Sequence, residues 1–141
     1  MIEHQLAEFF TADAAILART AERIFPGRAI HGTRGEVIVI QDITGQPIYT
    51  IDLEAGIADK VVQVDCYSSS PRAAYTLAEL VRDRLSGYRG TIGTTTPVLA
   101  QSCRIISSGQ EVDQPTDSSD RWIHRYRLDF ALFVATSIPT F

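Results

Sequence analysis

The side chains able to attack, shuttle protons or hold a metal are few in this sequence. It has two cysteines, Cys66 and Cys103, and three histidines, His4, His31 and His124. A nucleophile–base–orienter set could be drawn from Cys66, His124 and Asp65. Asp65 and Cys66 are neighbours in an alternating segment, so on a strand they point to opposite faces and cannot share such a site. Neither cysteine sits in a metal-type spacing, and each lies among apolar residues, which reads as a buried free thiol. Glu111, Asp113, Asp117 and Asp120 gather four carboxylates in one polar stretch. The stretch lacks the D-x-D-x-D-G pattern and the distal bidentate Glu of a calcium loop. Gly87, Gly90 and Gly93 follow a helix, whereas a phosphate-binding loop precedes one, so they read as turn glycines. Ser68-Ser69-Ser70 is better placed to cap a helix than to act as nucleophiles. Trp122 and Tyr126 could stack on a base, but they alternate in phase with Leu128 and Phe130 and read as core. The expectation is no catalytic residue, no metal and no cofactor.

Composition narrows the partners. The 141 residues suit one domain, large enough to fold without a disulfide or metal. Net charge is −4, and twelve of the thirteen basic residues are Arg, scattered rather than blocked. No basic face for gripping nucleic acid is evident, and the Arg bias reads as a GC-rich genome. Met1 to Gln5 has no basic, signal-like region. The longest apolar stretch, Phe130 to Ala135, is far below the ~20 residues of a membrane helix. A reducing, cytoplasmic setting is expected.

Periodicity supplies the elements. Ile2, Leu6, Phe9 and Phe10 recur at helical spacing over residues 2–10. A second helix is expected from Ala12, capped by Thr11 and stopped by Ile24-Phe25-Pro26-Gly27. Val37 to Ile43 and Ile48 to Leu53 read as strands joined by a turn at Gly45-Gln46-Pro47. Asp59 to Tyr67 alternates, with Val62, Val64 and Cys66 on one side. Pro71 to Ser86 is the clearest helix: Ser70 stands at N-cap, Pro71 at N1, and Gly87 follows the end. Its apolar stripe is Ala74, Leu77, Ala78, Val81 and Leu85. Gly90 to Pro97 reads as a turn-rich connection. Val98 to Ser108 reads as a strand with Leu99, Cys103 and Ile105 on one face, and Gly109 to Asp120 as a mobile polar loop. Arg121 to Ala135 is the last strand, with Arg125, Arg127 and Asp129 opposite its apolar side. The sum is an α+β fold: a single domain over 1–141 with a largely antiparallel β-sheet and helices packed on one face.

Several segments in order resemble one family. Gly45-Gln46-Pro47-Ile48-Tyr49-Thr50-Ile51-Asp52, then Val61-Val62-Gln63-Val64-Asp65-Cys66-Tyr67, are similar to a hairpin and strand of the tail-completion (tail-terminator) proteins of long-tailed bacteriophages. The ending Leu85-Ser86-Gly87-Tyr88-Arg89-Gly90, the opening Arg23-Ile24-Phe25-Pro26-Gly27 and the closing Arg125-Tyr126-Arg127-Leu128-Asp129-Phe130 are similar too. The resemblance spans nearly the whole chain. It departs before the first strand, where Arg34-Gly35-Glu36 stands in place of a frequent proline.

The resemblance implies a structural phage or prophage protein with no catalytic residues. It implies a homo-hexameric ring in the virion tail or neck, assembled in the bacterial cytoplasm. The ring would cap the tail tube, end its polymerisation, meet a head-completion or neck protein and let DNA pass without specific binding. A ring of identical subunits needs heterologous contacts. The segments expected to make them are the turn at Gly45, Gln46 and Pro47 and the loop holding Glu111, Asp113, Gln114, Pro115, Thr116 and Asp117. The alternatives are a neck adaptor or stopper at the same junction, and a small α+β hydrolase or ligand-binding domain.

Overall fold

The computed structural model describes residues 2–27, 35–49, 54–113 and 123–135. Its elements run α1 (Ile2–Thr11), α2 (Ala14–Thr20), β1 (Ile24–Pro26), β2 (Val37–Tyr49), β3 (Glu54–Ser68), α3 (Pro71–Leu85), β4 (Gly90–Ile92), β5 (Val98–Asp113) and β6 (Ile123–Ala135). The six strands form one curled sheet in the order β1-β2-β3-β6-β5-β4. Every pairing is antiparallel except β1 with β2. This is the expected single-domain α+β architecture.

The central strands are the most apolar. Val62, Val64 and Cys66 on β3 stand beside Phe130, Leu128 and Tyr126 on β6. With Ile38 and Ile40 they form the sheet side of the core, closed by Leu6 and Phe10 of α1, Ile16 of α2 and Leu77, Val81 and Leu85 of α3. The expected stripe of α3 is buried throughout, and Glu79 is exposed. Arg84 ties α3 to α1: its guanidinium lies 4.0 Å over the Phe9 ring and donates to the Phe9 carbonyl at 3.1 Å.

Several boundaries differ from the sequence expectation, each for a local reason. Thr11 ends α1, its hydroxyl bonding back to the Ala7 carbonyl at 2.8 Å. The cap of α2 is Asp13, which accepts from the N–H groups of Ala15 and Ile16 at 2.9 and 3.1 Å. Ser70 has the extended backbone of an N-cap but makes no side-chain cap bond. Ile24 to Pro26 is a parallel strand on β2, and Gly90 to Ile92 is a short strand on β5.

Gly45, Gln46 and Pro47 are not a turn. They continue β2 and pair with Lys60, Asp59 and Ala58. A proline is tolerated there because, among the described residues, this half of β2 has a neighbour on one side only. The sequence-expected strand beginning at Ile48 therefore contributes its first two residues to β2, and 50–53 lie outside the described residues. Ala55 and Gly56 lie inside β3, where Gly56 takes φ 77°.

β5 runs on to Asp113, so Glu111 and Asp113 are strand residues paired with Arg125 and Ile123. Gln114, Pro115, Thr116, Asp117 and Trp122 lie outside the described residues. Leu99 is exposed and Ala100 buried, the reverse of the expected phase. Gln101 is an extra residue between the pairs Ala100–Val134 and Ser102–Phe133, and this bulge flips the alternation before Cys103 and Ile105 turn inward.

Candidate assembly interface

The set drawn from Cys66, His124 and Asp65 is not assembled, because Asp65 stands on the other sheet face. Cys66 is fully buried among the core side chains, and burial pushes its thiol far up. Asp65 points to the opposite sheet face. His124 lies across from Ser68 on β6. Burial also raises Cys103, to about 11. Among the described residues no group of three or more His, Cys, Asp or Glu could hold a metal ion, and no helix is long and apolar enough to cross a membrane.

The face of the sheet away from the helices carries a ladder of charge. Cross-strand register sets Asp65 beside Arg127, Gln63 beside Asp129 and Glu111 beside Arg125. Glu111 accepts from Arg127 at 3.1 Å and pairs with Arg125 as well. Arg127 also approaches Asp129 at 3.4 Å. Asp65 is 1% exposed even on this face. Desolvation raises its carboxyl above the ordinary value, opposed by the hydrogen bond from Gln63 at 2.9 Å and by Arg125 at 4.0 Å. Each Arg of the ladder thus has a carboxylate at hand, and among the described residues the face presents no uncompensated cationic stripe.

Among the described residues, hollows flank the sheet. One, of about 480 Å³, lies between α3 and β5 and is lined by Tyr75, Glu79, Arg82, Arg104, Ile105 and Tyr126. Tyr75 meets Tyr126 edge-on at 5.4 Å. Another, of about 670 Å³, lies between α1, Pro26 and the segment Thr94–Thr96. Glu8 of α1 holds that segment, accepting from the N–H of Thr94 at 3.3 Å and of Thr95 at 3.2 Å.

The sheet's two flanks are the remaining feature. Among the described residues β1 pairs only with Ile38 to Ile40 of β2, and β4 only with Val98 to Ala100 of β5. The Gly87 N–H takes the Cys103 carbonyl at 2.8 Å. From Gln41 to Tyr49 on β2, and from Arg104 to Asp113 on β5, the described residues give each strand a partner on one side only. Both open stretches carry a bulge. Ile43 is the extra residue between Asp42–Val62 and Thr44–Val61, and Ile106 between Ile105–Phe130 and Ser107–Asp129. They are 53% and 52% exposed. Ile48 and Val112 are exposed further along the same stretches.

Gly45, Gln46 and Pro47 thus lie on one open flank, while Glu111 lies on the other and is already held by two arginines of its own chain. Ile43 and Ile106 were not legible as special, because a bulge residue has no signature in a period-two pattern.

The model of the family described as "Tail completion protein gp17" matches residues 4–134. No curated protein sequence matches the chain. A solved structure described as "Virion of native gene transfer agent (GTA) particle" contains a chain of similar fold, with TM-score 0.70 and 14% identity, covering 95% of this chain and 94% of that one.

Proposed function

Because the chain belongs to the phage tail completion family and is a structural protein of the tail, we propose that it acts as a tail terminator. In this reading it assembles as a ring, a hexamer, on the end of the tail tube. The ring stops tube growth and offers the completed head, through a head-completion or neck protein, a surface to join.

The observation that carries the reading is the family match, which runs from within α1 to within β6. Two structural features support it. A ring needs two different patches per subunit, and the open flanks of β2 and β5 are unlike each other and on opposite sides of one sheet. DNA passing through a lumen must not be held, and every phosphate-binding cation adds affinity. The pairing of Arg125 and Arg127 with Glu111 and Asp129 leaves these charges compensated.

The stretch Gly45 to Pro47 and the segment Gln114, Pro115, Thr116 and Asp117 are proposed to contact the tube or a neighbouring subunit. Because Glu111 and Asp113 belong to β5, the segment is tested by deleting 114–119. The deletion is expected to leave the protein folded and to impair tail joining. Deleting the whole gene from a producing strain tests the reading itself. Electron microscopy should find tubes of uncontrolled length and unjoined heads; tubes of normal length joined to heads would refute it.

A further inference from the structure

Resting on the ring reading, we propose that the open flank of β2 in one copy pairs antiparallel with the open flank of β5 in the next, so that the sheets run on from subunit to subunit.

The argument begins with which pairings can propagate. β2 and β5 lie on opposite sides of one sheet and run in opposite directions. Joining one to the other is a head-to-tail contact that uses each flank once and extends indefinitely or closes. Joining like to like through one flank stops at two. Pro47 weighs against β2 pairing with itself, since that contact would carry two missing donors, one from each copy, where the β2–β5 contact carries one.

The exposed apolar residues fix the register. Ile43 and Ile48 are five residues apart, and Ile106 and Val112 six. Antiparallel pairing that sets Ile43 beside Val112 brings Ile48 to Ile106, with one bulged residue absorbing the difference. All four side chains then lose exposed surface together, and no other register covers both pairs.

The same register supplies the stagger that closure needs. Within one chain the row through Gly45 crosses Lys60 and Leu132 and ends at Cys103. In the proposed contact Gly45 of the next copy stands beside Gln110. Allowing for the bulge at Ile106, each copy is displaced by about six residues, or ~20 Å along the strands, over four strands spanning ~19 Å. Strands then tilt by about 45° to the ring axis, close to the 35–45° usual for closed sheets. In this arrangement β1 and β4 fall beyond the ends of the shared stretch, because they cover only Ile38 to Ile40 and Val98 to Ala100.

Disulfide trapping tests the contact, because the native thiols Cys66 and Cys103 are buried. Variants Ile43→Cys, Val112→Cys and the double variant are first checked for native circular dichroism and solution mass, then mildly oxidised. The double variant should give a ladder of linked chains up to the ring size. Each single variant alone should give none, and the two mixed should give linked dimers only. Dimers from Val112→Cys alone would mean twofold β5 pairing and overturn the proposal. Rings by mass with no links in the double variant would overturn it while leaving the ring reading intact. The absence of any ring on purified tube ends would instead refute the ring reading, and this inference with it.

Discussion

Glu8 and Thr95 are bonded twice across 87 positions of sequence: one carboxylate oxygen of Glu8 accepts from the Thr95 N–H at 3.2 Å and from its hydroxyl at 3.1 Å. With the two bonds from Thr94, this single oxygen pins the segment after β4 to helix α1.

The bonds from Thr94 and Thr95 hold the Glu8 carboxyl below its ordinary value. A carboxyl depressed in the folded state stabilises above its unfolded value and loses that contribution as pH falls through the folded one. Glu8→Gln is therefore expected to melt below the parent at pH 7, with the gap closing in strong acid. A gap independent of pH would place the effect elsewhere.

Asp65 has the opposite sign. Burial raises its carboxyl, so the folded state binds the proton more tightly than the unfolded one. The resulting penalty is complete above the folded value and fades as pH falls toward the unfolded value. Asp65→Asn is expected to be at least as stable as the parent at pH 7, with its advantage shrinking toward pH 4, read from urea midpoints. Marked destabilisation at pH 7 would show that the charge on Asp65 is needed by Arg125 and Arg127.

Leu77 and Val81 are fully buried against the sheet. Leu77→Asp or Val81→Asp is expected to cost several kcal/mol, a large part of the ~5–15 kcal/mol that holds a domain together. Glu79→Ala on the exposed side should change stability by about 0.5 kcal/mol or less. Soluble yield and chemical denaturation separate the three.

Cys66 and Cys103 should resist alkylation in the folded protein, because burial holds both thiols protonated and covered. Mass spectrometry after iodoacetamide at pH 7.5 should find the chain unmodified until denaturant is added. Cys66→Ser and His124→Gln should alter stability alone. Fast labelling of the native protein would contradict the burial.

Much of the core could be read directly, because Val62-Val64-Cys66, Leu128-Phe130-Leu132 and the α3 stripe keep a clean period. What escaped has physical causes. Pro47 and Gly45 look like punctuation, yet on a one-sided strand neither costs a ladder bond, so β2 runs through them. β1 and β4 have three residues each, too few to display a period. Gln101, Ile43 and Ile106 are bulges, which shift the alternation without any composition cue. The candidate interface was legible only in part: Gly45 to Pro47 lies on an open flank for a reason other than the turn expected of it.

The pairing of β3 with β6, from Ile57–Ala135 to Ser68–His124, also sets a timetable. β3 leaves the ribosome several seconds before β6 at ~5–20 residues per second. Until then the helices and the β2–β3 hairpin have half a core to close upon. Among the described residues β5 reaches β3 and the strands beyond it only through β6, so its outer flank has no fixed place until the last strand is made. A nascent subunit therefore cannot recruit a neighbour through that flank, and competence to assemble arrives together with completion of the fold.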